Sequence, residues 1–225
     1  MRSDATSELI VVGSGATLSI APERIVVAGY TAKDEAVVEH HIAELAAIGV
    51  PRPVSVPAYY VLSPGLLTSS PVVEVGSATT SGEVEPVVIR HDGRYYLGVG
   101  SDHTDRELER VDIARSKAAC PKPLGSHVVD LGPDLSVVDW DGLVAESSVD
   151  SSTYQSGSVA TLRHPSDTLG RMPSGLDDGG DLVLFCGTLS LLGGKFVYGS
   201  RWRVDLRLPH GETLTHVYET QRRRA

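Results

Sequence analysis

The chain has 225 residues, 41% hydrophobic and 22% charged, an ordinary globular balance with ample length for a buried core. A formal net charge of −9 withholds the electrostatic footprint of a nucleic-acid partner, and the basic run Arg222–Arg224 reads as a solvated end. Cys120 and Cys186 form neither a disulfide framework nor a zinc spacing, and the start lacks a charged-then-apolar leader pattern, so a cytoplasmic protein is expected. The apolar run Leu182–Leu192 is broken by Gly187 and is too short to cross a bilayer, so no membrane partner is expected.

Residues 7–29, rich in Val and Ile, predict short strands joined by turns. Within them Ile10-Val11-Val12-Gly13-Ser14-Gly15 imitates the opening of a dinucleotide fingerprint. Leu18 replaces the third glycine and Pro22 interrupts the required helix, so a hairpin turn is the better reading. Residues 32–48 predict a helix. Thr31 and Asp34 form a capping-box pair, Val38, Ile42 and Leu45 recur at i, i+4, i+7, and Gly49 and Pro51 stop it. The Pro- and Ser-rich stretch Pro51–Pro71 reads as a long surface connection.

The remainder is mostly β in pattern. Glu83–Arg90 and Arg94–Val99 flank Asp92-Gly93, a strong hairpin signal. Glu107–Ala119 predicts a short helix ending before Pro121, and residues 126–150 alternate with frequent turns. Residues 151–180, polar and Gly-rich, show no clear periodicity and read as including a mobile loop. Leu182–Phe185 predicts a buried strand. Val204, Leu206 and Leu208 alternate, turn at His210-Gly211, and return through Leu214 and Val217. No internal repeat or linker divides the chain, so one domain is expected over residues 1–225.

Glu83 and Glu85 lie on one face of their strand. A two-residue turn at Asp92-Gly93 sets Glu85 opposite Gly100 and Glu83 opposite Asp102, so three carboxylates share one patch, with a glycine leaving room beside them. Like charges opposed across a ladder destabilise it, and a hard cation reverses that sign. The competing reading is a solvated acidic face. Pro86 is the weak point of this register: it cannot donate to a ladder, so a bulge or an edge is expected there.

The motifs resemble those of the fumarylacetoacetate hydrolase superfamily. Its Glu-x-Glu with a following Val/Ile run is matched by Glu83-Val84-Glu85-Pro86-Val87-Val88-Ile89. Its Asn-Asp-x-Ser/Thr-x-Arg-Asp is matched by Ser101-Asp102-His103-Thr104-Asp105-Arg106-Glu107, and its lysine segment loosely by Ser116-Lys117-Ala118-Ala119-Cys120-Pro121. Gly180-Asp181 through Gly187-Thr188 resembles the Gly-Asp, strand, Gly-Thr-Pro signature. Upstream, Ala28-Gly29-Tyr30 and His41-Ile42-Ala43-Glu44 resemble Gly-x-Asn-Tyr and His-x-x-Glu. These elements keep the family's order over residues 28–188. Ser101, Pro86 and Leu189 depart from the pattern, and the Asp181–Gly187 stretch looks one residue long, as in an uncharacterised branch.

The resemblance implies an α+β, mostly β fold: a mixed β-roll whose metal-binding core spans residues 72–217, with a short N-terminal lid helix within 28–50. It implies that Glu83, Glu85 and Asp102 bind Mg²⁺, with Mn²⁺ as the alternative, and that the protein is a homodimer. It gives Arg106 and Lys117 to an anionic substrate or developing oxyanion, against the alternative of surface pairing with Asp105 or Asp112. Thr188 and Gly187, at the end of a buried strand, would hold a substrate carboxylate, and Tyr30 would line the pocket. His41 and Glu44 are three apart on one helix face, where a carboxylate can make the imidazole a general base for water. The alternative for His41 is a half-buried surface residue. His103 alternates away from Asp102 and is left outside the site.

The implied substrate is a small 2-oxo acid or acylpyruvate, cleaved at a C–C bond through a metal-stabilised enolate. Decarboxylation, hydration and tautomerisation reuse that enolate and stay open, as does a non-catalytic member that holds metal and ligand. No Gly-x-Ser-x-Gly elbow points to a metal-independent nucleophile.

Overall fold

A computed structural model describes residues 6–47, 52–177 and 179–223, without the side chains of His41, Glu44 and Leu45. Strands β1 (Ser7–Val11) and β2 (Thr17–Ile20) form a hairpin over the turn predicted at Gly13-Ser14-Gly15. Strand β3 (Ile25–Gly29) leads to helix α1 (Glu35–Ala47), and β4 (Ala58–Leu62) returns antiparallel to β3. Short strands β5 (Leu67–Thr68), β6 (Val72–Val75) and β7 (Thr80–Ser81) follow. The hairpin β8 (Val84–His91) and β9 (Arg94–Ser101) comes next, then β10 (Thr104–Asp105), α2 (Arg106–Glu109) and α3 (Ile113–Ala118). After β11 (Lys122–Pro123) and β12 (His127–Gly132), β13 (Val144–Val149) and β14 (Ser152–Ser158) pair. Helix α4 (Pro165–Gly170), β15 (Leu182–Phe185), β16 (Arg201–Arg207) and β17 (Thr213–Arg222) complete the order.

The larger sheet has the order β2-β1-β12-β9-β8-β15-β3-β4, the smaller one β14-β13-β16-β17-β6. Strands β1/β12 and β3/β15 pair parallel and their other neighbours antiparallel, so the large sheet is mixed. It curls until residues of its two edge strands, Ile20 and Leu62, share one core with Val87, Ile89 and Phe185. Its other face, through Val84, Val88 and Leu184, packs on Ala145, Val204 and Leu206 of the small sheet. Strands β8 and β15 are therefore buried on both faces, which is why Val87–Ile89 and Leu182–Phe185 read as continuous apolar stretches rather than alternation.

Several expectations are corrected. Helix α1 starts at Glu35, capped by Asp34, whose carboxylate accepts from Ala36 N at 2.8 Å. Thr31 is buried instead, its carbonyl accepting from Arg163 N. Val38 and Ile42 are buried as the periodicity requires, while the stop at Gly49 and Pro51 lies outside the described residues. The supposed surface connection contains β4 and β5. The supposed mobile region contains β14, which pairs with β13 at the edge of the small sheet. Glu107–Ala119 is two helices rather than one, because Asp112 caps a second one. On β17 the buried phase is Leu214, His216 and Tyr218, not Val217. Among the described residues no helix is long and apolar enough to cross a membrane.

Candidate active site

The β8–β9 hairpin carries the register read from its turn. His91 faces Arg94, Glu85 faces Gly100, and Asp102 N donates to Glu83 O at 3.0 Å. Asp92 and Gly93 both take positive φ, 49° and 70°, as a two-residue hairpin turn requires. Pro86 causes no bulge. Its carbonyl accepts from Cys186 N at 3.0 Å, so its missing donor faces that same side, just past the end of β15, and the β9 ladder is untouched. Gly100 does not leave room for a ligand, because a Cβ there would lie 2.7 Å from the Phe185 ring and 2.9 Å from Pro123 O.

Asp102 is fully buried between two ammonium groups: Lys117 holds its Oδ2, and Lys122 Nζ lies 3.2 Å from Oδ1. Burial works to raise its pKa, but Lys117 and Lys122 outweigh it and hold the carboxyl well below the usual range. Lys117 reaches this position from α3, whose first turn is capped by Asp112 accepting from Arg115 N at 3.0 Å. Burial opposes its charge, yet Asp102, Glu83 and Glu109 together raise its pKa. Its ammonium also lies 5.6 Å from the Tyr60 ring centroid, within cation–π range.

Arg106, the first residue of α2, is equally buried rather than paired at the surface. Its Nη2 lies 3.1 Å from Glu83 Oε2, its Nη1 donates to Glu109 at 2.9 and 3.0 Å, and its Nε donates to Ser81 Oγ at 2.7 Å. The Phe196 ring covers the guanidinium at 4.1 Å. Glu85 is buried too, and takes a 2.8 Å hydrogen bond from Gly187 N. Burial pushes its pKa well up, and Asp102 adds to the rise. Thr188 donates its hydroxyl to Val84 O and accepts from Gln155 Nε2, both at 2.8 Å. Gly187 and Thr188 thus reach the acidic strand through bonds within the protein. Tyr30 sits at the end of β3 with φ 58°; burial, then Glu109, raises its pKa while Lys117 lowers it, which marks the same neighbourhood. His41 and Glu44 lie on α1, but their side chains fall outside the described ones.

The structure adds residues the sequence reading did not select. Lys122 is wholly buried, donating to the carbonyls of His103 and Lys117 at 2.6 Å and of Cys120 at 3.2 Å. Its position between Pro121 and Pro123, before apolar Leu124, was the available signal of burial. Glu109 and Tyr60 also join the cluster, and His103 is buried beside it, with its carbonyl on Lys122 and its side chain turned towards Tyr218 and Thr80.

The donor set fits a hard divalent cation. Glu83, Glu85 and Asp102 offer carboxylate oxygens only. Counting Glu109, four carboxylates face the cations Arg106, Lys117 and Lys122, and added positive charge beside Glu85 would counter the rise in its pKa. Among the described residues no three His, Cys, Asp or Glu side chains already stand together as a cage. A cation held there would have to displace Lys117 from Asp102 and Arg106 from Glu83.

No curated protein matches the sequence significantly. Solved structures do match the fold. A candidate fumarylacetoacetate isomerase/hydrolase from Oleispira antarctica has a TM-score of 0.65 at 18% identity, covering 96% of this chain and 100% of that one. A fumarylacetoacetate hydrolase family protein from Yersinia pestis CO92 has 0.60 at 16% identity, over 94% and 100% of the two chains. The 2-hydroxyhepta-2,4-diene-1,7-dioate isomerase from Mycobacterium marinum has 0.56 at 12% identity, over 93% and 79%. The curled mixed sheet is therefore the fold of fumarylacetoacetate hydrolase family proteins, as the motifs implied. Residues 28–218 match the family profile described as "Protein of unknown function (DUF2848)", and the chain belongs to that family.

Proposed function

We propose that the protein is a divalent-metal-dependent enzyme that hydrolyses a C–C bond in a small 2-oxo acid or acylpyruvate. The observation that supports this most is the buried apposition of Glu85 and Asp102, with Glu83 beside them and Arg106 and Lys117 facing them. Burying several like charges costs several kcal/mol or more unless they are compensated, and such arrangements concentrate at functional sites. Glu83, Glu85 and Asp102 would hold Mg²⁺ or Mn²⁺, and the ion when bound supplies Lewis-acid polarisation of a carbonyl oxygen.

The chain's own residues do the rest. Lys117, freed from Asp102, presents its ammonium to the substrate's anionic end or to the enolate oxygen that develops during cleavage. Arg106 holds Glu83 and Glu109 in place as the charge distribution shifts. His41, oriented by Glu44 from the lid helix, removes a proton from water as it attacks the carbonyl. Tyr30 and Tyr60 border the ammonium and limit the size of the substrate. Gly187 keeps one oxygen of Glu85 fixed. The protein is read as a homodimer acting in the cytoplasm on a small anion.

The test is a panel of 2-oxo acids and acylpyruvates assayed with and without Mg²⁺ and Mn²⁺, alongside calorimetric titration of each ion. Hydrolysis that requires the ion is the expected result. Ion-dependent decarboxylation, hydration or tautomerisation keeps the site and changes the reaction. Ion binding without turnover makes the protein a ligand-binding member, and no ion binding overturns the reading.

A further inference from the structure

Asp102 is flanked by Ser101 and His103, both wholly buried and both bonded to a single phenol on the last strand. Tyr218 OH lies 2.8 Å from Ser101 Oγ and 2.9 Å from His103 Nδ1. The other ring nitrogen, His103 Nε2, lies 2.9 Å from Thr80 Oγ1. Trp202 and Tyr218 pack edge-on against the imidazole, with centroids at 5.4 and 5.7 Å. Each ring nitrogen thus has one fixed partner.

The same phenol also packs against the backbone leading into β8. A Cβ on Gly82 would lie 2.4 Å from Tyr218 OH, 2.5 Å from Ser101 Oγ and 3.2 Å from His103 Nδ1. The hydroxyl cluster therefore rests on the backbone immediately before Glu83. His103 also gives its carbonyl to Lys122 Nζ, the ammonium that meets Asp102 Oδ1. A satisfied polar network contributes little net stability over an apolar one of the same shape, but it fixes orientation.

We propose that Tyr218 and His103 are positioning residues for the Asp102–Glu83 pair: the Tyr218 hydroxyl ties together the side chains on both sides of Asp102 and packs against the backbone before Glu83, and His103 fixes the hydroxyl. The metal readout of this proposal rests on the function proposed above, and a structural readout does not. Tyr218→Phe removes one atom. In His103→Asn the amide can replace Nδ1 towards Tyr218, whereas in His103→Gln it reaches towards Thr80 instead.

The full-length variants are titrated with Mn²⁺ alone, followed by electron paramagnetic resonance, with melting temperatures recorded alongside. Tyr218→Phe and His103→Gln should weaken Mn²⁺ binding about 10–100-fold, the usual effect of losing a residue that orients a ligand, and His103→Asn should stay within about threefold of the parent. Parental affinity in Tyr218→Phe, or equal affinities in the two His103 variants, overturns the proposal. Should Tyr218→Phe fail to fold, Ser101→Ala removes one of the phenol's two bonds and must weaken binding in the same direction. If the parent itself takes up no Mn²⁺, the metal reading has failed and the crystal structure of Tyr218→Phe decides. Displacement of Asp102 from between Lys117 and Lys122 sustains the positioning role, and an unmoved Asp102 overturns it.

Discussion

The backbone N–H of Gly187 lies 2.8 Å from Oε2 of Glu85, a contact between residues 102 positions apart that joins the end of β15 to the acidic strand. Gly187 has φ 103°, and a Cβ there would lie 1.8 Å from Thr31 Oγ1. Gly187→Ala is therefore expected to destabilise the fold by about 2–4 kcal/mol, combining an unfavourable backbone conformation with overpacking. Urea denaturation checks this, and a loss under about 0.5 kcal/mol, the ordinary surface value, would contradict it.

Glu85 predicts a pH signature. Burial, then Asp102, raises its folded pKa above the unfolded value, so its contribution favours the folded state at low pH and is lost as pH rises through the folded pKa. Glu85→Gln should remove that loss. The variant should unfold at higher urea than the parent at neutral pH, with the gap closing as pH falls towards the ordinary carboxylate range. Metal affinity should fall at least about tenfold in the same variant. Asp102 acts in the opposite sense and in a lower window: its depressed pKa gives stability that is lost only as pH falls below the carboxylate range. Parallel pH–stability curves for parent and Glu85→Gln would remove Glu85 from this account.

Lys117→Met keeps most of the stem's bulk and removes the cation. Removing one partner of a buried ion pair typically costs about 3–5 kcal/mol, but Lys122 remains on Asp102, so the loss should lie at or below the low end of that range. With its competitor gone, Mg²⁺ should bind Asp102 more tightly than in the parent. An oxalate-like enolate mimic should bind more weakly, and kcat/KM should fall by the equivalent of about 2–4 kcal/mol. Tighter Mg²⁺ with weaker mimic is the diagnostic pair. A change below about threefold in kcat/KM and in the mimic's Kd would exclude contact with substrate.

His41→Ala tests the lid helix. Hydrolysis should slow by about 10²–10⁴-fold, the usual contribution of a positioned base, with metal affinity unchanged. Decarboxylation needs no activated water and should suffer less. Undiminished hydrolysis in the variant would take His41 out of the mechanism.

The β8–β9 hairpin was legible because one dipeptide sets both turn type and register, and register alone aligns Glu83 with Asp102. Leu182–Phe185 was legible because a strand buried on both faces has no alternation to hide. Strand β4 was missed because Pro57 and Pro64 bracket it, and β14 because its Ser and Gly content suits an edge strand that pairs only with β13. The site was harder. Lys117 and Lys122 look alike in sequence, and nothing local tells that both meet Asp102. His103 was set aside on strand alternation, which is correct about direction: its side chain does leave the Asp102 face. What alternation cannot supply is the partner waiting there, Tyr218, contributed from 115 positions away.

The sheet order has a consequence for how the chain is made. Strand β15 lies between β3 and β8, so a growing chain carries two buried-type strands with an empty slot between them until residues 182–185 have emerged. The β8–β9 hairpin closes locally and early, whereas pairings of high sequence separation form late. Carboxylates therefore gather before Gly187 arrives to meet Glu85. In that interval the unpaired backbone edges of the apolar strands β3 and β8 are open templates for a strand of another chain. A nascent chain stalled before Leu182 is thus the form of this protein most exposed to aggregation and to chaperone capture.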